Sequence, residues 1–321
     1  MMRHTNRLWP SLILACAVSG TACAQNAPPP DTQIEYSVDA DSVAGAIKAV
    51  TGTVEQIDIP ADGIAQRDVH VWLPSSYADN SDRRYPVLYM HDGQNVFDPE
   101  TSYIGWDWGV DEALSALSIE VIVVAVENIP RVRLLDYFPE KAADTHADAI
   151  AKHFPGFDRK TLTGDAYLRH LVDAVKPAID ARYRTLPDRD NTTIMGSSMG
   201  GLISLYAISE YPDTFGAAGM VSTHWPIADG MLVDYFSERL PDPDTHRLYF
   251  DFGTNTLDWN YEAYQDRMDA AVEAAGYVRS ENWTTRKYDG QDHSERSWRS
   301  RVHVPLKFLL EGENIDGGER R

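Results

Sequence analysis

The sequence predicts an α/β fold, with a mostly parallel central sheet flanked by helices and an antiparallel pair of strands at its N-terminal edge. Three observations predict it. Short runs that are apolar on both faces recur along the chain, each closed by a turn signal, as parallel strands covered on both sides require. Helical patterns alternate with those runs, the order expected of strand–helix–strand units. The first two strand-like stretches instead alternate apolar with polar residues, which suits an edge pair.

Residues 54–59 and 68–73 form that edge pair, and Pro74 ends the second strand. The buried runs follow at residues 86–90, 121–126, 192–195, 217–221 and 248–252, with a further strand-like run at 284–288. Between them the helical spacing falls on 110–117, 167–179, 202–209 and 261–275. Residues 131–163, rich in His, Asp, Phe and Pro, break the alternation. A stretch of that length is either a cap over a functional site or a surface excursion with a short helix.

Arg3 and Arg7, an apolar run over residues 8–18 and then Ala22-Cys23-Ala24 have the layout of a secretory signal peptide over residues 1–24. The run is much shorter than the roughly 20 residues of a membrane-spanning helix. Export to the periplasm or beyond is the expectation, with lipid attachment at Cys23 as the alternative. Cleavage after Ala24 removes both cysteines of the chain, Cys16 and Cys23, and with them any disulfide or thiol chemistry. Residues 25–49 read as a tether, 50–312 as the folded domain with its possible cap at 131–163, and 313–321 as a polar tail. The 321 residues carry a formal charge of −20, which argues against nucleic acid or an anionic membrane as partner.

Gly196-Ser197-Ser198-Met199-Gly200 fits G-x-S-x-G, with a β-prone run before it and an amphipathic helix, reaching to Pro212, after it. That is the nucleophile elbow of the α/β-hydrolase fold. Its turn is too sharp for large neighbours, and it holds the Ser198 hydroxyl clear of the sheet above a helix N-terminus. The fold orders its triad as Ser, acid, His, and His293 alone among ten histidines lies in a loop between a late strand and the last helix. Asp258, in the turn after the strand at 248–252, is the first choice of acid. Asp251, Glu262 and Asp292 are the alternatives, Asp292 being too near His293 in sequence to reach its imidazole easily.

His91-Asp92-Gly93-Gln94, Arg133-x-x-Asp136-Tyr137-x-Pro139, Lys176-Pro177-x-Ile179-Asp180, Gly196 to Gly201 and His293-x-Glu295-x-x-Trp298 together resemble the putative-esterase family of α/β-hydrolases. That family includes enterochelin, feruloyl and acetylxylan esterases, S-formylglutathione hydrolases and mycolyltransferases, and the likeness spans roughly residues 50–310. It implies a serine esterase whose oxyanion is held by the backbone amides of Gln94 and Met199. Many relatives carry a Glu where this chain has Thr256, with Asp258 two positions on, so the acid is where the chain departs from the pattern.

His91, Asp92, Trp106, His224, Trp225 and Trp298 are candidate substrate contacts, because all flank the expected active face; Trp108 and Trp259 flank it too. Arg133 and Asp136 are expected to pair with each other. No metal or organic cofactor is implied. The substrate is expected to be a small or carbohydrate-linked ester, neutral rather than an anionic siderophore, since only Arg131 and Arg133 offer positive charge nearby. An acyltransferase using the same residues and a catalytically silent binding protein are the rival readings.

Overall fold

The computed structural model describes residues 48–312, so the signal peptide, the tether up to residue 47 and the polar tail lie outside the described residues. Eight strands form one sheet: β1 (Thr53–Ile57), β2 (Val69–Leu73), β3 (Val87–His91), β4 (Ile122–Val126), β5 (Thr192–Ser197), β6 (Ala217–Val221), β7 (Arg247–Gly253) and β8 (Trp283–Tyr288). Their order across the sheet is β1-β2-β4-β3-β5-β6-β7-β8. The pairs β1/β2 and β2/β4 are antiparallel and the others parallel.

β3 lies between β4 and β5, pairing Val87 with Ile122 on one side and with Thr192 on the other. The chain therefore reverses its direction of travel across the sheet between β3 and β5. Ligands of open α/β sheets bind at such a switch point, beyond the carboxyl ends of the strands.

The helices are α1 (Val110–Leu117), α2 (Arg133–Asp136), α3 (Glu140–Thr145), α4 (Ala147–His153), α5 (Gly164–His170), α6 (Lys176–Arg182), α7 (Met199–Glu210), α8 (Met231–Ser237), α9 (Glu262–Ala274), α10 (Glu295–Arg301) and α11 (His303–Glu311). Successive residues of the inner strands serve opposite layers. Val87 and Tyr89 of β3 pack with Leu168, Val175 and Leu205 on one face, while Leu88 and Met90 pack with Leu114, Trp298 and Leu306 on the other. This two-sided burial is why the inner strands are continuously apolar.

Two helices differ from expectation. α7 is buried from Met199 to Ile208 rather than amphipathic, because it is enclosed between the sheet and α8. The helix expected over 167–179 holds a wide π turn, Leu171–Val175, between α5 and α6. Pro177 lacks an amide hydrogen and its ring crowds the carbonyl four residues back, so the wider turn relieves the strain there. Residues 131–163 fold as three short helices, α2 to α4, with a 3-10 turn at Arg159–Thr161.

Candidate active site

Ser198 joins β5 to α7 with φ 59° and ψ −119°, a conformation that costs an L-residue energy. Close approaches explain two of the surrounding glycines. A Cβ on Gly196 would lie 2.8 Å from the Gly200 backbone, and one on Gly201 would lie 2.6 Å from Thr223 Oγ1. The turn is pinned by the Ser198 amide donating to Val221 O (2.9 Å) and the His224 amide donating to Ser198 O (3.2 Å). Met199 opens α7, so its amide has no partner within the helix.

His293 sits between β8 and α10, and its Nδ1 lies 2.6 Å from Asp258 Oδ1. Its amide donates to Thr256 Oγ1 (2.8 Å), and its ring packs edge-on against Trp298 and Tyr261, with centroids 5.1 and 5.9 Å away. Asp258 is buried in the 3-10 turn Thr256–Asn260 after β7. Its Oδ2 accepts from Ser222 Oγ (2.6 Å) and the Gly253 amide (2.7 Å). Burial works to raise its pKa, but the hydrogen bond and charge of His293, then Ser222 and Gly253, hold it below the ordinary carboxylate range.

The other acids are engaged elsewhere. Asp251 is buried against Arg301 (3.0 Å) and accepts from Tyr249 Oη, Glu262 pairs with Lys287, and Asp292 is bound by Ser294, Ser297 and Arg296. Thr256 itself steadies the histidine backbone.

The turn after β3 faces the turn that carries Ser198. Asp92 adopts a left-handed conformation (φ 58°), and Gly93 packs so closely on β4 that a Cβ there would lie 2.7 Å from the Ala125 carbonyl carbon. Gln94 is fixed at both ends: its Oε1 accepts from the Asn128 amide (3.2 Å) and its carbonyl from Thr101 Oγ1 (2.7 Å). Asp92 accepts a two-pronged contact from Arg133 (2.7 and 2.8 Å) and a bond from Asn128 Nδ2 (2.7 Å). Burial pushes the Asp92 pKa up, but the charge and hydrogen bonds of Arg133 outweigh it and leave it lowered.

Arg133 therefore pairs with Asp92, and the expected Arg133–Asp136 bridge does not form. Asp136 turns the other way, to the buried Arg67 at 2.9 Å. α2 is a single turn, too short for its own i,i+3 pair to compete with two buried partners of opposite charge.

The candidate substrate contacts divide. His224 is half-buried beside Ser198; its Nδ1 lies 2.7 Å from Tyr261 Oη, and burial followed by the charge of His293 lowers its pKa to about 4. Tyr261 thus touches both imidazoles. Trp106 is 49% exposed, and so is available to a ligand.

The other four are buried and engaged with protein partners. His91 is buried against Tyr137 and Tyr167, with Nδ1 2.7 Å from Tyr167 Oη, and burial drives its pKa to about 3. Asp92 is spent on Arg133. Trp225 is 1% exposed and donates to Gln265, and Trp298 lies behind His293, donating to Ser222 Oγ (3.1 Å).

Ser222 had no role in the sequence reading, although it follows β6 directly, at the same carboxyl edge as Ser198. Two further groups of ligating side chains lie close together: Asp68, His70 and Glu127, and Asp107, Asp111 and Glu112. In the first, His70 Nε2 already meets Glu127 (2.8 Å); in the second, Arg299 bridges Asp107 and Glu112 at 2.6 Å each and supplies the positive charge.

No described helix is long and apolar enough to cross a membrane. Over 186 residues the chain is 27% identical to an uncharacterized protein, YbbA, of Bacillus subtilis, covering 57% of this chain and 66% of that one. A ferulic acid esterase structure superposes with TM-score 0.56 at 20% identity, covering 81% of this chain and 98% of the other. The enterobactin esterase FES from Shigella flexneri superposes with TM-score 0.58 at 16% identity, covering 83% and 61%. These likenesses and the sheet order give the chain the α/β-hydrolase fold. Residues 65–308 match the Putative esterase family, and the chain belongs to it.

Proposed function

We propose that the protein is a serine carboxylic-ester hydrolase with Ser198 as nucleophile, His293 as base and Asp258 as the acid that orients it. The 2.6 Å contact between Asp258 Oδ1 and His293 Nδ1 carries this reading, because it commits one ring nitrogen to the acid and leaves Nε2 for the reacting serine. In the cycle, His293 takes the Ser198 proton as Oγ attacks the acyl carbonyl. The amides of Gln94 and Met199 hold the oxyanion. Collapse expels the alcohol, which receives its proton from His293. Water, deprotonated by the same imidazole, then releases the acid from the acyl-enzyme. A neutral His224 beside this site adds no charge that would compete for the oxyanion or the imidazole.

A neutral acylated or feruloylated carbohydrate is the favoured substrate class. Arg133, the nearest cation on α2, is neutralised by Asp92 and so is not free for an anionic siderophore. Trp106, Leu257 and Trp259, 49%, 50% and 51% exposed, instead offer apolar surface on the loops that carry Gln94 and Asp258. The N-terminal 24 residues fit an exported enzyme working in the periplasm or outside the cell.

A fluorophosphonate probe should label the wild type and spare Ser198→Ala. Hydrolysis of a panel of aryl acetates, feruloylated sugars and siderophore esters then ranks the substrates. Labelling of Ser198→Ala equal to wild type would overturn the assignment. Products formed with and without an alcohol acceptor separate hydrolysis from acyl transfer.

A further inference from the structure

We propose that Glu295 is a positioning residue of this site, whose carboxyl group ties the segment carrying His293 to the turn that presents the Gln94 amide. The inference rests on the reading of Ser198 and His293 as the reacting pair.

Glu295 is the first residue of α10, two positions after His293, and it is 7% exposed. A carboxyl group buried at that depth needs a partner. It finds Asn95, whose Nδ2 donates to Glu295 Oε1 (3.3 Å) across a gap of 200 residues in sequence. Asn95 adjoins Gln94 and braces the whole loop: its amide donates to Asp92 O (2.8 Å), its carbonyl accepts from the Trp108 amide (2.8 Å), and its Oδ1 from the Tyr103 amide (3.0 Å). The start of α10 is equally fixed, since Ser294 caps the Ser297 amide and Asp292 accepts from both hydroxyls at 2.5 Å. The single bond between Glu295 and Asn95 therefore joins two rigid pieces. One carries the proposed base and the other a proposed oxyanion donor, and acyl transfer needs both at fixed separation.

The electrostatics add a second consequence. Asp92 from the turn after β3, Arg133 from α2 and Asp292 from the preceding loop act on Glu295, with His293 two residues away. Burial raises its pKa first; its own helix-start amide opposes this, Asp92 and Asp292 add to it and Arg133 subtracts, leaving it at about 7. Ionisation above that pH places negative charge beside the turn that must receive an oxyanion, which disfavours the reaction.

The test uses the purified protein and p-nitrophenyl acetate. Glu295→Gln keeps an oxygen for Asn95 and loses the charge, whereas Glu295→Leu loses both. Glu295→Leu and Asn95→Ala should each lower kcat by about tenfold with little change in KM, as expected for loss of the one hydrogen bond that joins the two segments. The double variant should be no slower than the slower single one, and Glu295→Gln should stay within about threefold of wild type. The ratio of wild-type to Glu295→Gln kcat should fall as pH rises through 7. Wild-type kcat in Glu295→Leu, losses that multiply in the double variant, or a pH-independent ratio would each overturn the proposal.

Should Glu295→Leu lack a cooperative unfolding transition, Asn95→Asp takes its place. It sets a second carboxyl against Glu295 and must cost more activity at pH 8 than at pH 6, and equal losses refute the tie. Ser198→Ala runs alongside. If that variant hydrolyses as fast as wild type, the serine reading fails; if it is dead while Glu295→Leu is fully active, only the Glu295 assignment fails.

Discussion

Ser222 Oγ lies 2.6 Å from Asp258 Oδ2 and donates its hydrogen to it. The same oxygen accepts from Arg301 Nη2 (2.9 Å) and Trp298 Nε1 (3.1 Å), so Ser222 stands between the buried Arg301–Asp251 pair and the carboxylate that grips His293. Ser222→Ala removes a hydrogen bond to a charged group and strands two donors. It should lower kcat by about tenfold and stability by about 1–3 kcal/mol. Steady-state kinetics and urea unfolding check both, and unchanged values would mean that the Gly253 amide alone suffices to hold Asp258.

Asp258→Asn keeps the shape of the side chain but presents the wrong partner to His293 Nδ1. The expected loss in kcat is about 10³ to 10⁴, the scale found when the equivalent acid of a serine hydrolase triad is replaced. Asp292→Asn and Glu262→Gln, whose carboxyl groups are bound elsewhere, should stay within a few-fold of wild type. A larger loss from either would move the acid.

The neighbourhood of α1 predicts a pH effect on stability. Asp111 is fully buried, accepts from the Thr51 amide (2.9 Å) and lies against Glu112. Burial, then a proton shared with Glu112, raises the Asp111 pKa to about 7, opposed by the Thr51 amide. The folded state therefore holds a proton that the unfolded chain releases above about pH 4. The sign follows: this group's contribution is full below pH 4 and is lost as pH rises through 7. Asp111→Asn should raise Tm at pH 8 relative to wild type and change it little at pH 4. An equal shift at both values would show that the proton is not held there.

Gly196→Ala should abolish cooperative folding or activity, because its Cβ would meet the Gly200 backbone at 2.8 Å, where nothing can yield. Gly200→Ala meets Asp92 Oδ2 at 3.3 Å and His91 Cβ at 3.5 Å, and small shifts relieve it. Circular dichroism melts and ester hydrolysis of the pair should differ markedly. Similar behaviour would mean that the elbow is looser than its geometry.

All eight strands were legible from the chain, the inner ones as apolar runs too short for a helix and closed by turn signals, the first two from their alternation of apolar and polar residues. The segment 131–163 was not. Its helices are four to seven residues long and lean on distant partners, Arg67 with Asp136 and Asp92 with Arg133, that no local spacing reveals. The Asp258–His293 contact agrees with the order of elements alone. Which neighbour of an active-face loop points inward was illegible: His224 and Trp225 are adjacent, yet one faces the site and the other the core. Ser222 escaped notice for a related reason, since a lone serine after a strand has no pattern of its own.

The left-handed bend at residue 198 also limits what can ever stand there. Any residue with a Cβ meets the cost of that bend, and a β-branched one such as threonine adds a second heavy atom there and a stiffer χ1. Exchange of oxygen for sulfur at the tip leaves that backbone as it is, whereas branching at the same carbon makes the bend costlier.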